Sequence, residues 1–127
     1  MEVKTSTKEK YHVIGVVLPH LAANMTDELC NLLQQYLKLE VKNIVLNLEN
    51  VKTMEEEVGE CLVRTQQQFY ENEASFVICC LSPELEAFLD EKNLLELMNT
   101  TPTESEASDI VQMEEIEREL LGEDEDY

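Results

Sequence analysis

Val41-Lys42-Asn43-Ile44-Val45-Leu46-Asn47-Leu48 is followed by Glu49-Asn50-Val51-Lys52-Thr53-Met54, then by Glu55-Glu56-Glu57-Val58-Gly59-Glu60 and a run to Phe69. Ile44, Val45, Leu46 and Leu48 form a short, nearly continuous apolar run, the pattern of a strand covered on both faces. From Val58 the period changes. Val58, Leu62, Thr65 and Phe69 recur at helical spacing, with Cys61 beside them. The stretch therefore predicts a buried strand, a six-residue loop and a helix that opens on three consecutive carboxylates. Loops after buried strands are where α/β folds carry function, which makes this corner the candidate site.

The composition bounds the rest. The 127 residues suit one domain with a packed core, and with 43 % hydrophobic residues, 6 % aromatic and no Trp that core is mostly Leu, Val and Ile. The 28 acids outweigh 9 bases, a net charge of −19. Thr103 to Tyr127 alone holds eleven acids and one base. Phosphate contacts need Lys and Arg, so nucleic-acid binding is not expected. Adhesion to an anionic membrane is disfavoured for the same reason. The N-terminus lacks the apolar run of a signal peptide, and no segment approaches the ~20 apolar residues of a membrane span, so the expected location is cytoplasmic. Cys30, Cys61, Cys79 and Cys80 show no Cys-x-x-Cys spacing, and buried reduced thiols are expected.

Along the chain, Met1–Thr5 and Lys10–Leu18 read as two strands joined by a polar turn, the second ended by Pro19. A helix starts near Asn24 or Thr26, either of which can cap it, with Leu29, Leu32, Leu33, Tyr36 and Leu37 on one stripe. Beyond Phe69, Glu71-Asn72-Glu73 is a polar break and Ser75–Leu81 another buried strand. Ser82-Pro83-Glu84 is a helix start with cap, proline and acid in order, and Leu85, Phe88 and Leu89 form its inner face. Asn93 ends that helix. Leu94–Met98 reads as a short edge strand. Thr103-Glu104-Ser105-Glu106 is a capping-box pattern opening a last helix, with Ala107, Ile110, Met113 and Leu120 on one face and Gly122 as its stop. The expected organisation is one domain over 1–121 and an acidic disordered tail over 122–127. Strands alternating with helices imply an α/β fold with a mainly parallel sheet of about five strands and about four helices.

The residues resemble the STAS domain, whose best-known members are bacterial anti-sigma-factor antagonists. Ile44-Val45-Leu46-Asn47-Leu48 is similar to the family's central strand, with Met54 before the helix. Val77-Ile78-Cys79-Cys80-Leu81-Ser82-Pro83-Glu84-Leu85 resembles its strand and Ser-Pro helix start. Leu94-Leu95-Glu96-Leu97 and Thr103-Glu104-Ser105-Glu106-Ala107 resemble its last strand and helix. The resemblance implies a STAS-like single domain and a regulatory binding role. In that family an Asp-Ser-Ser-Gly sequence opens the helix after the central strand, and a kinase phosphorylates the second Ser to switch partner binding off. Here Glu55 falls at the Asp, Glu56 at the first Ser, Glu57 at the phosphorylated Ser and Val58 at the Gly. The family's earlier Gly-Glu-Leu-Asp turn is Pro19-His20-Leu21-Ala22. The phosphorylatable hydroxyl is missing, so no phosphorylation site is expected at the corner.

Three readings compete for the glutamates. Thr53 and Glu56 fit a capping box, and first-turn carboxylates meet the positive end of the helix dipole. A fixed negative charge at a protein-binding corner is the second reading; Glu carries one charge where a phosphate carries up to two. The third is paired-carboxylate chemistry, but consecutive helical residues point about 100° apart and cannot converge on one ion. The expected function is a non-enzymatic module without cofactor or metal, binding a protein such as an anti-sigma factor or a related switch kinase. The site residues are Glu55, Glu56, Glu57 and Glu60, with Thr53 and Met54 at the rim. The alternatives are a small acidic-site enzyme at the same corner and an acidic decoy of a nucleic-acid-binding protein.

Overall fold

The computed structural model describes residues 1–125, with side chains described through Leu121. Among them the elements are β1 (Val3–Thr7), β2 (His12–Val16), β3 (His20–Leu21), α1 (Thr26–Gln34), β4 (Ile44–Asn47), β5 (Thr53–Met54), α2 (Glu56–Glu71), β6 (Phe76–Cys79), α3 (Pro83–Glu91), β7 (Thr100–Thr101) and α4 (Glu104–Glu125). The main sheet has the order β1-β2-β4-β6-β7. β1 pairs antiparallel with β2, and the other pairings are parallel. The expected α/β fold with a mainly parallel five-stranded sheet and four α-helices is the one observed.

The continuous apolar runs are explained by two covered faces. On one face Ile14, Val16, Ile44, Leu46, Phe76 and Ile78 pack against Leu29 and Leu33 of α1, Val58, Leu62 and Phe69 of α2, and Leu85 and Leu89 of α3. On the other face Val13, Val45, Val77 and Cys79 meet Ala107 and Val111 of α4. Alternate residues of each strand serve alternate faces, so neither face can be polar. Ser82 caps α3 as expected, its Oγ accepting from the Leu85 amide at 3.1 Å with Pro83 in the first turn. Thr103 caps α4, its Oγ1 accepting from the Glu106 amide at 3.2 Å.

Several expectations are corrected. Leu94–Met98 is not a strand. It turns as a short 3-10 helix, Leu95–Leu97, and Thr100–Thr101 takes the sheet edge instead. Leu94 and Met98 are buried while Glu96, which a strand would place on the same face, is exposed, so the segment does not alternate. Gln66 fastens the segment, donating to the Leu97 carbonyl at 2.9 Å and accepting from the Asn99 amide at 2.7 Å. Neither Asn24 nor Thr26 caps α1 through its side chain. A 3-10 turn, Ala23–Met25, precedes the helix, and the Met25 amide bonds to the Ala22 carbonyl. The last helix does not stop at Gly122. It runs to Glu125, because a single Gly costs a helix about 1 kcal/mol without ending it. Residues 126–127 of the expected tail lie outside the described residues. The inner face of α4 is Ala107 and Val111 with Ile110 beside them, while Met113 and Leu120 are exposed. Cys30 and Cys61 are not free thiols but a disulfide joining α1 to α2, with Cα atoms 6.3 Å apart. Their sequence spacing carries no motif; the packing of the two helices brings them together.

Candidate protein-binding corner

Two segments 33 residues apart build the corner. β3 and β5 pair in parallel, His20 opposite Thr53 and Leu21 opposite Met54. The Lys52 and Thr53 amides both donate to the Pro19 carbonyl, at 2.7 and 3.2 Å, and the Glu55 amide donates to the Leu21 carbonyl at 2.9 Å. Leu21 and Met54 turn inward and are buried, whereas His20 and Thr53 turn outward and share a 2.7 Å hydrogen bond between Nδ1 and Oγ1. Pro19–Ala22 and Thr53–Glu55 thus form one backbone-linked platform in front of α2.

The capping box is absent. Glu55, not Thr53, is the residue before α2, and Glu56 is the first helical residue rather than the third. A Thr53 in extended, paired backbone lies outside the helix, so its hydroxyl turns to His20. Glu55 reaches across the platform, its carboxylate accepting the Ala23 amide at the start of the turn before α1. The first turn of α2 holds Glu56 and Glu57 at the positive end of the helix dipole. Glu56, Glu57 and Glu60 are exposed, and among the described residues no hydrogen bond or ion pair engages their carboxylates. Glu56 and Glu57 each lie one helical turn from Glu60, so the three carboxylates share one solvated face.

Of the expected site residues, Thr53, Glu55, Glu56, Glu57 and Glu60 come together on the surface. Met54 does not reach the rim; it is 4 % exposed and supports the corner from beneath. His20 and Ala23 complete the platform and were not among the expected site residues. The inward–outward alternation of His20-Leu21 and Thr53-Met54 is two residues long, too short to register as a strand. Thr65, the next hydroxyl along, is fully buried against the Cys30–Cys61 pair. Among the described residues no group of three His, Cys, Asp or Glu is placed to hold a metal ion. None of their helices is long and apolar enough to cross a membrane. A cavity of about 240 Å³ opens among Lys4, Ser6, Gly15, Asn47 and Glu104, and none of the corner residues lines it.

The fold and this corner define an α/β module with an exposed, acidic helix start. A model of the STAS domain family matches residues 5–107, and the chain belongs to that family. Among solved structures it is similar to an anti-sigma factor antagonist from Mycobacterium paratuberculosis, at 14% identity and TM-score 0.75, covering 87% of this chain and 93% of that one. It is similar to an anti-sigma-factor antagonist (STAS) domain protein from Planctomyces limnophilus, at 19% identity and TM-score 0.71 over 83% and 93%. A serine-to-glutamate variant of RsbS from Moorella thermoacetica matches at 18% identity and TM-score 0.72 over 88% and 96%. No curated protein matches the sequence.

Proposed function

We propose that this chain is a non-enzymatic regulatory module that binds a protein partner through the Thr53–Glu60 corner, with Glu57 where the family carries its phosphorylatable Ser. The partner class is an anti-sigma factor or a related switch kinase. The observation that carries this reading is the pairing of a fixed platform with three unengaged carboxylates. Lys52, Thr53 and Glu55 are backbone-bonded to the Pro19–Leu21 segment, so little ordering cost remains when a partner docks. Glu56, Glu57 and Glu60 stand exposed on that platform. Membership of the STAS family and likeness to anti-sigma-factor antagonists support the partner class. With a carboxylate in place of the hydroxyl, binding is set by a permanent single charge instead of a reversible phosphate.

Titration calorimetry against a panel of purified anti-sigma factors and switch kinases tests the reading. Glu57→Ser is expected to change affinity by roughly 2–5 kcal/mol if its carboxylate is buried and hydrogen-bonded at the interface. The thermal midpoint should move little, because only a dipole contribution of about 0.3–1 kcal/mol is lost. Unchanged affinity for a partner that binds the wild-type chain would remove Glu57 from the interface.

A further inference from the structure

The second half of α4 is inverted relative to an ordinary surface helix. Its first turns face the sheet with Ala107 and Val111. One and two turns on, the inward residues are polar and bind strand ends. Ser75 Oγ donates to Glu114, and Arg118 donates to Ser75 Oγ at 3.1 Å and to Asn43 Oδ1 at 3.2 Å. Asn43 Nδ2 in turn donates to Glu115 Oε1 at 3.0 Å. The apolar residues of the same turns point to water: Met113, Ile116 and Leu120 are 60, 56 and 57 % exposed. Spaced i, i+3, i+7, they lie within about 60° of one another around the axis and form one seam. Such a stripe normally faces a core.

We propose that the Met113–Ile116–Leu120 face of α4 docks a basic amphipathic helix of a partner protein. The three residues repeat as the a, d and a positions of a heptad, the spacing that receives a second helix. Glu117 and Glu119 then occupy the flanking e and g positions, which set partner choice through charge. In the same register Glu106 and Asp109 stand at the preceding a and d positions, so the apolar part of the seam begins at Met113 next to two exposed carboxylates, and Arg118 is turned inward onto Ser75 and Asn43. A second copy of this chain, in either orientation, would set Glu against Glu along the seam. A helix with Lys or Arg at those positions matches both the apolar spacing and the charge. α4 covers the sheet face opposite α1–α3, so this surface is independent of the α2 corner.

The probe is a synthetic helical peptide with Leu at a and d and Lys at e and g, compared with a scrambled peptide of the same composition. Fluorescence anisotropy with the full chain should show the patterned peptide binding about tenfold more tightly or better. The double variant Ile116→Ser, Leu120→Ser should lose that advantage and melt with the wild type, since both side chains are exposed. Glu57→Ser should leave peptide binding unchanged. Equal binding of the two peptides would reduce the effect to bulk charge and overturn the proposal. So would undiminished peptide binding by the double variant. A dimer in sedimentation that Ile116→Ser dissociates would assign the face to a second copy and overturn it equally.

Discussion

Glu55, Glu56 and Glu57 are adjacent and chemically identical, yet the structure gives them different work. Glu55 ties α2 to the start of α1 through the Ala23 amide, while Glu56 and Glu57 only meet the helix dipole. Glu55→Ala should therefore cost about 1 kcal/mol, the net worth of one hydrogen bond, and Glu56→Ala less. Denaturant melts of the two variants check this; a larger loss for Glu56→Ala would restore the capping box. A second residue-scale prediction concerns Tyr70. Burial raises its pKa from 10.0; the hydroxyl accepts from Asn99 at 2.8 Å and donates to Glu114 at 3.3 Å. A raised folded pKa means that the contribution is complete below pH 10 and fades as pH rises through the folded value. A phenolate absorbance titration should show one late step that Tyr70→Phe removes. No late step, or one that survives the substitution, would count against the burial effect.

Two helix contacts decide how α2 is held. The disulfide fixes it to α1, closing a loop of 31 residues, and its loss should cost about 2–4 kcal/mol. Unreduced, unfolded protein should titrate two thiols, not four. In the folded chain Cys80 should alkylate well before Cys79, whose thiol is fully buried and whose pKa is driven up first by that burial. Four thiols titrating without reductant would dispose of the staple. On the other side, Gly59 lets α2 approach α3 and the segment after it. A Cβ built there would stand 2.7 Å from Leu94 Cδ1 and 3.2 Å from Leu89 Cδ2. Both leucines are buried, so Gly59→Val should destabilise by about 1–3 kcal/mol through overpacking. An unchanged melting midpoint would show that Leu94 moves aside freely.

At the scale of the whole molecule, the densest acidic run of the sequence follows the turns of α4 that Glu114, Glu115 and Arg118 anchor. Among the described side chains Arg118 makes the last contact that holds the helix to the sheet, and in the sequence the four acids of Glu123–Asp126 follow. Deleting residues 123–127 should preserve one cooperative transition and raise the midpoint slightly at low salt, because self-repulsion falls. The gain should vanish at physiological ionic strength, where the Debye length is ≈ 8 Å. Loss of cooperativity after the deletion would show that the segment is structural.

The sequence by itself determined what is local and periodic. The apolar runs Ile44–Leu48 and Phe76–Cys79, the Ser82-Pro83 start and the α2 stripe Val58, Leu62, Thr65, Phe69 all follow from alternation, capping chemistry and the 3.6-residue turn. With their order they gave the α/β fold and located the acidic corner. What only the tertiary structure decided is long-range. The β3–β5 pairing joins residues 33 apart, the disulfide joins two helices, and Asn43 and Ser75 reach α4 across the sheet. Those contacts set which carboxylate of the triplet is engaged, leave Met54 beneath the corner and not on it, and turn the apolar side of α4 outward. The physical reason is that a side chain's face is fixed by the pattern of its own element only when that element packs by burial alone. Where polar groups at strand ends hold an element instead, the hydrophobic pattern no longer reports which side is in.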